Sequence, residues 1–191
     1  MSINISQLTN KTELRRALLK IRQDMPAAKW REKSNRICEI LQSFDLFASS
    51  QTILAYFSFR QEPDISPLFA DSSRRWGLPR CVGDSLSWHL WHPQEVGRLQ
   101  IGSYGILEPC PTALLINPGE VDLMIVPSVA CDYQRYRLGY GGGYYDRLLS
   151  LSEWASKPTI GITFEFAFIP QLPINSWDKP LQNVCTEIAV R

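Results

Sequence analysis

A glycine-rich segment between two arginines is the part of this sequence that is best suited to bind an anion. It reads RLGYGGGYYDR over residues 137–147. Its glycines let backbone N–H groups come close to an anion, because no Cβ stands in the way. The helix that we predict after it adds the partial positive charge of its N-terminus. Arg137 and Arg147 can pair with phosphate, so the segment predicts a phosphate site.

Asp146 lies in the first predicted turn of that helix. There it can cap the helix, or hold Mg²⁺ beside a polyphosphate, since this hard cation prefers carboxylate oxygen. The segment is not a P-loop, because no Gly-Lys-Ser/Thr follows the glycines. The alternative interpretation is a glycine-rich turn that exposes two tyrosines.

A basic segment near the N-terminus is the second candidate for anion binding. Residues 11–36 hold nine Lys or Arg and three Asp or Glu, so this segment carries +6, the remainder −5 and the whole chain +1. Lys11 and Arg15 are four residues apart and therefore share one face of a helix. A solvated amphipathic face is the alternative. The near-neutral total and the lack of RNP-type aromatic motifs argue against a nucleic-acid-binding protein.

The elements that must position these residues alternate between helix and strand. Asn10 can cap a first helix, with Glu13 at the capping-box position, and Pro26 ends it. Its apolar stripe consists of Leu14, Ala17, Leu18 and Ile21. We predict further helices over 27–44, 65–75 and 144–151, and strands over 53–59, 76–82, 85–91, 121–131, 159–164 and 184–190. This order indicates one α/β domain of residues 1–191, a layered sandwich with a mostly parallel central sheet flanked by helices, onto which the first helices pack.

Cysteine and histidine do not suggest a metal or redox site. The five cysteines are scattered without a CxxC pair, which favours buried thiols in a reducing compartment. His89 and His92 would point to opposite faces of a strand. The N-terminus lacks the pattern of a signal peptide, and no apolar run reaches the length of a membrane span. We therefore expect a soluble, cytoplasmic protein without nucleic-acid or membrane partners.

Five further pieces, in order along nearly the whole chain, accompany the glycine-rich segment: KTELRR, YFSFRQE, YGILEP, VDLMIVPSVACD and WDKPLQNVCTE. With RLGYGGGYYDR they closely resemble the motifs of the 5-formyltetrahydrofolate cyclo-ligases, also called 5,10-methenyltetrahydrofolate synthetases. The resemblance implies an α/β sandwich similar to the sugar-phosphate isomerase and CoA-transferase group. It also implies the conversion of 5-formyltetrahydrofolate to 5,10-methenyltetrahydrofolate with ATP and Mg²⁺. In that reaction the formyl oxygen is phosphorylated, N10 attacks the activated carbon, and phosphate leaves. A non-catalytic nucleotide- or folate-binding module on the same fold is the alternative. We expect a monomer or weak dimer.

The resemblance also implies residue roles. The ATP-binding set is Lys11, Arg15, Arg137, Leu138, Gly139, Tyr140, Gly141, Gly142, Gly143, Tyr144 and Tyr145. The folate-binding set is Tyr56, Glu62, Tyr140, Gly141, Gly142, Gly143 and Tyr144. The catalytic set is Arg137, Tyr144 and Asp146, and the Mg²⁺ ligands are Asp146 first and Asp178 second.

Four positions qualify these assignments. The family often has a basic residue where Tyr140 or Gly142 stands, so backbone N–H groups, Arg137 and Mg²⁺ would have to neutralise phosphate here. Gln182 stands near a position where many members have an acid, and its amide supplies no charge. Glu108 either lines the folate side or braces its loop.

Overall fold

A six-stranded, mostly parallel sheet forms the centre of the structure, a computed structural model that describes residues 10–191. Its strand order is β11-β9-β6-β1-β2-β3, and every neighbouring pair is parallel except the β2–β3 hairpin. These strands are β1 (Thr52–Leu54), β2 (Arg75–Val82), β3 (Ser85–Trp91), β6 (Leu123–Pro127), β9 (Thr159–Ile162) and β11 (Asn183–Cys185). The mixed α/β architecture with a mostly parallel sheet is as predicted.

Two smaller sheets complete the strands. The first has the order β10-β7-β8 and the second is the hairpin β4–β5. Their strands are β4 (Leu99–Ile101), β5 (Leu107–Pro109), β7 (Ala130–Asp132), β8 (Arg137–Leu138) and β10 (Phe168–Ile169). The helices are α1 (Lys11–Gln23), α2 (Ala27–Gln42), α3 (Asp45–Ser49), α4 (Tyr144–Leu148) and α5 (Ser152–Ala155).

Apolar side chains alternate between the two faces of the central sheet, as the two-residue period of a strand requires. Ile53 and Leu123 belong to a buried cluster that includes Ile37 and Leu41 of α2. Leu54, Met124 and Val126 belong to a second cluster with Leu148 of α4 and Trp154 of α5. The sheet is therefore covered by helices on both faces, which is what a parallel sheet needs.

The first helix packs elsewhere than expected. Leu14 and Leu18 of α1 belong to a third buried cluster with Ala130 of β7 and Leu138 of β8. The expectation that the first helices both cover the central sheet is thus correct for α2 and wrong for α1. Because β8 is the first part of the glycine-rich segment, this packing fixes α1 beside that segment.

Several predicted element boundaries are wrong for identifiable reasons. The strand predicted over 53–59 ends at Leu54, and the chain then turns through Arg60 and Gln61, which both have positive φ. The helix predicted over 65–75 is a short 3₁₀ turn, Ser66–Ala70, with proline in its first turn. The strand predicted over 121–131 divides into β6 and β7, and the helix predicted over 144–151 ends at Leu148.

One residue of the predicted apolar stripe is also misplaced. Ile21 is 36% exposed, whereas the neighbouring Arg22 is only 2% exposed. Asn10 caps α1 as predicted, because its side chain accepts a hydrogen bond from the Thr12 N–H at 2.7 Å. Among the helices of residues 10–191, none has the length and apolar character needed to cross a bilayer.

Candidate active site

A cavity of about 620 Å³ opens at the carboxyl ends of β1 and β6. In parallel α/β sheets this edge is where ligands bind, because the loops that follow the strands converge there. Helix α1, the segment after β1, the β4–β5 loop, the glycine-rich segment and the segment before β11 all line it. Every residue in the predicted ATP, folate, catalytic and metal sets lies on its wall.

Within the glycine-rich segment, residues 137–147, the glycines form a tight turn between β8 and α4. Gly141 and Gly143 have φ of 104° and 69°, backbone conformations that side chains with a Cβ rarely adopt. Arg147 closes the turn, because its Nη2 donates to the Gly142 carbonyl at 2.8 Å and its Nε to the Asp84 carbonyl at 2.7 Å. The turn is thereby tied to the β2–β3 hairpin, and its backbone faces the cavity.

Arg137 and Asp146 form an ion pair on the wall of the cavity. Nη2 of Arg137 lies 3.1 Å from Oδ2 of Asp146. The Arg137 guanidinium also lies over the ring of Tyr145, 5.0 Å from its centroid, and is largely buried. Its Nε is buried and has no hydrogen-bond partner among residues 10–191. The pair therefore offers both a fixed cation and a carboxylate to a ligand at the start of α4.

Lys11 and Arg15 enter the cavity from α1. Lys11 forms an ion pair with Asp178, which also accepts the Asn175 N–H at 2.6 Å. Arg15 donates from Nε to the Gly139 carbonyl at 2.7 Å and has no ion-pair partner within residues 10–191. Burial lowers the pKa of Arg15, since desolvation disfavours its charged form. An unpaired cation on the wall is suited to a ligand that brings negative charge.

Glu62 lies across the cavity in a tight turn. The side chain is buried at 4% exposure, and its Oε2 accepts the Phe59 N–H at 3.0 Å. Its carbonyl accepts Nε1–H of Trp30 at 2.9 Å and the hydroxyl of Ser58 at 2.8 Å. Burial raises the pKa of Glu62 to about 7, although the positive charge of Arg22 opposes this. The carboxyl group thus titrates near neutral pH, which is typical of a functional position.

Three tyrosines contribute in different ways. Tyr140 accepts a hydrogen bond from Arg22, and burial raises its pKa to about 12. The hydroxyl of Tyr144 lies 2.9 Å from that of Tyr104, in the β4–β5 loop. Tyr56 is buried and donates to the Pro63 carbonyl at 2.8 Å, so its ring forms part of the wall. Tyr140 and Tyr144 are accordingly the ones that connect the glycine-rich segment to other loops.

A protein-family model described as "5-formyltetrahydrofolate cyclo-ligase family" matches residues 7–187. The chain belongs to this family. It is 28% identical over 184 residues to the 5-formyltetrahydrofolate cyclo-ligase of Mycolicibacterium smegmatis, an alignment that covers 93% of each chain. The cyclo-ligase of Escherichia coli K12 is 31% identical over 144 residues, covering 72% of this chain and 78% of its own. The protein is therefore an enzyme, as predicted.

Solved structures agree with this assignment. The NMR structure of Aquifex aeolicus 5,10-methenyltetrahydrofolate synthetase is similar with a TM-score of 0.84 and 33% identity, over 95% of this chain and 91% of that one. The 5,10-methenyltetrahydrofolate synthetase of Mycoplasma pneumoniae has a TM-score of 0.73 at 20% identity, and this likeness concerns the fold alone.

Asp146 and Asp178, the candidate metal ligands of this site, could hold Mg²⁺ only if a phosphate ligand completed its coordination. Within residues 10–191 there is no group of three or more His, Cys, Asp or Glu that could hold a metal. Mg²⁺ needs only one or two carboxylates when substrate phosphates and water supply the other ligands. Asp146 and Asp178 both line the cavity, and each has a cation beside it that phosphate would also attract. Gln182 is not on the cavity wall.

The sequence predictions missed some residues of the cavity and its surroundings. Tyr104 and Trp177 line it, although Tyr104 begins the YGILEP piece and Trp177 precedes Asp178 in another. Arg22 lies behind Tyr140, and the sequence predictions give it no role apart from the other basic residues of its helix. Its spacing of seven residues from Arg15 places both on one helix face, and this spacing is the sequence feature that indicates a role for Arg22 in the site. Glu108 braces its loop, because Oε1 accepts the Cys81 N–H at 3.1 Å.

Proposed function

We propose that this protein cyclises 5-formyltetrahydrofolate to 5,10-methenyltetrahydrofolate, consuming ATP and releasing ADP and phosphate, with Mg²⁺ as cofactor. The observation that carries the proposal is that one cavity holds both the cationic and glycine-rich residues suited to a triphosphate and the buried carboxyl group suited to a pterin. Residues 1–191 would act as one cytoplasmic domain, in a monomer or weak dimer.

The first proposed step makes the formyl group reactive. A formyl amide is a poor electrophile, and its oxygen is a poor leaving group. In this step the formyl oxygen attacks the γ-phosphorus of ATP, the bond from that phosphorus to the bridging oxygen breaks, and the electron pair leaves with ADP. Phosphoryl transfer depends mainly on positioning and on neutralising charge. Lys11, Arg15 and Arg137 are three of the cations that line the cavity.

The second proposed step closes the ring. N10 attacks the activated formyl carbon, the bond from that carbon to the phosphorylated oxygen breaks, and phosphate leaves with the former formyl oxygen. The departing phosphate is a base that takes the N10 proton. Glu62 holds the pterin by accepting hydrogen bonds from its N–H groups, while Tyr144 and the glycine backbone keep the two reacting groups together. Asp146, with Asp178 as the second candidate, would hold Mg²⁺, which neutralises phosphate charge when bound.

The test of this function is a direct assay. The protein is mixed with ATP, Mg²⁺ and 5-formyltetrahydrofolate, and the near-ultraviolet absorbance of the methenyl product is followed. We expect product to form only when all three components are present, with one ADP released for each product. If ATP and folate both bind and no product forms, the protein is a binding module and the proposal is wrong.

Arg15→Gln tests the assignment of α1 to the triphosphate. We expect the Kd for ATP to rise about 10- to 100-fold, because a hydrogen-bonded charge contributes about 1.5–3 kcal/mol, while folate binding changes by less than about twofold. Calorimetric titration of each ligand separates the two effects. The matched control is Arg16→Gln, at the exposed neighbouring position of the same helix. Equal weakening of both ligands would show that Arg15 merely supports the fold.

A further inference from the structure

Arg22 is a buried arginine near the end of α1 for which the proposed reaction has no role so far. It is 2% exposed, whereas Arg16 and Lys20 on the same helix are exposed. A helix has about 3.6 residues per turn, so Arg22 follows Arg15 by nearly two turns and shares its face. Burying a guanidinium is unfavourable unless hydrogen bonds or an anion compensate. The groups around Arg22 must therefore compensate for the burial of its charge.

The guanidinium of Arg22 joins two loops of the active site. Its Nε donates to the Arg60 carbonyl at 3.1 Å, and its Nη2 donates to the hydroxyl of Tyr140. The guanidinium carbon also lies 5.5 Å from the centroid of the Tyr140 ring. Its Nη1 is buried and has no hydrogen-bond partner among residues 10–191, and no carboxylate of that range forms an ion pair with it. A buried guanidinium without an ion-pair partner in that range thus lies directly behind the cavity wall.

The loop that receives the Nε donation is the turn that carries Glu62. Arg60 and Gln61 have φ of 47° and 56°, and two successive non-glycine residues in this region are unfavourable unless the surroundings hold them there. The Phe59 N–H closes the turn by donating to the Glu62 carboxylate at 3.0 Å. The bond from Arg22 is therefore one of the contacts that hold this conformation.

The charge of Arg22 also acts on Glu62. The ionisable side chains around Glu62 are Arg22 from α1, Arg60 from its own turn, Tyr56 after β1, Tyr140 from the glycine-rich segment and Tyr145 from α4. The three tyrosines are neutral at ordinary pH, and Arg60 is exposed. Burial raises the pKa of Glu62, and the charge of Arg22 is the largest influence that lowers it.

The geometry points to Arg22 as a positioning residue for the folate side of this site. It holds the Glu62 turn against Tyr140 of the glycine-rich segment, and its positive charge favours the ionised Glu62 carboxylate, the form that accepts hydrogen bonds from substrate N–H groups. This role rests on the proposed function, because the acceptor is assigned to the N–H groups of the proposed pterin ligand. Arg22 does not line the cavity, so it acts through Glu62 and Tyr140 and not by contact with substrate.

The test measures the two ligands separately as a function of pH in Arg22→Gln. We expect the Kd for 5-formyltetrahydrofolate at neutral pH to rise about 10- to 100-fold and the Kd for ATP to change less than about twofold. Folate binding should weaken at low pH, where Glu62 is protonated, and we call this decline the acid limb. In Arg22→Gln we expect the acid limb to move to higher pH by about one unit. The sign follows because removing a cation favours protonated Glu62. The control is Lys20→Gln, which removes an exposed charge of the same helix that pairs with Asp24.

Arg22→Lys provides the second variant, which is needed if Arg22→Gln fails to fold. Lysine keeps the charge but lacks the planar group that donates to both loops. We expect the acid limb to return to its wild-type position while the folate affinity stays about fivefold weaker or more. A merely structural role predicts instead a lower melting temperature with unchanged folate Kd and pH profile, and that result overturns the inference. If the wild-type protein turns over normally and only this inference fails, the proposed function stands; if the wild type neither binds folate nor turns over, both fail.

Discussion

Asp146→Asn is expected to lower kcat by on the order of a thousandfold or more while the protein stays folded. The amide has nearly the same shape as the carboxylate but carries no charge, so it cannot help to hold Mg²⁺ beside a triphosphate. Asp146 is also the carboxylate that pairs with the buried Arg137. Losing that partner should lower the free energy of unfolding by about 1–3 kcal/mol, which a melting curve can detect.

The measurement is the initial rate of methenyl product formation against Mg²⁺ concentration. The matched control is Glu153→Gln, which removes an exposed acid from the first turn of α5 and should keep wild-type rates. Asp178→Asn serves as the comparison with the second metal candidate, and we expect a loss of about tenfold, since Lys11 remains for phosphate. Wild-type turnover in Asp146→Asn, with unchanged Mg²⁺ dependence, would contradict the metal role.

The sequence made the components of this site predictable because most of them depend on local rules. Glycine permits the positive φ at Gly141 and Gly143, and a spacing of four residues puts Lys11 and Arg15 on one helix face. The alternation of strand and helix also predicted the parallel sheet, whose carboxyl edge gathers the loops. The resemblance to a family supplied the pairing of these residues with particular ligands, which local rules do not contain.

The errors arise where long-range contacts decide. Apolar periodicity allows either Ile21 or Arg22 to face inward, and Arg22 is buried because it meets polar groups of two loops distant in sequence. The strand predicted over 53–59 is shortened because the chain leaves the sheet to form the Glu62 turn. In both cases the contacts of the site, and not the local sequence pattern, decide the structure. Such conflicts are expected at functional positions, where stability is traded for chemistry.

The burial of the Glu62 carboxylate, which costs stability and serves ligand binding, leads to the second large expected effect. Glu62→Gln should raise the Kd for 5-formyltetrahydrofolate about 100-fold, because neutral glutamine is a weaker acceptor for substrate N–H groups, and yet make the ligand-free protein more stable at neutral and alkaline pH. The amide oxygen can still accept the Phe59 N–H that the carboxylate accepts now. What disappears is the unfavourable burial of a negative charge.

The pH dependence of stability determines at which pH Glu62→Gln is more stable than the wild type, and low pH serves as the control. Glu62 titrates at about 7 in the folded protein against a usual value of 4.5, so the folded state binds more protons in that interval and wild-type stability falls as pH rises through it. The shift corresponds to about 3 kcal/mol, which the glutamine variant should gain above pH 7 and not below pH 4.5. Chemical denaturation of both proteins at several pH values measures it. A variant that is less stable than wild type at every pH would show that the carboxylate stabilises the turn, and the charge of Glu62 would then need a different explanation.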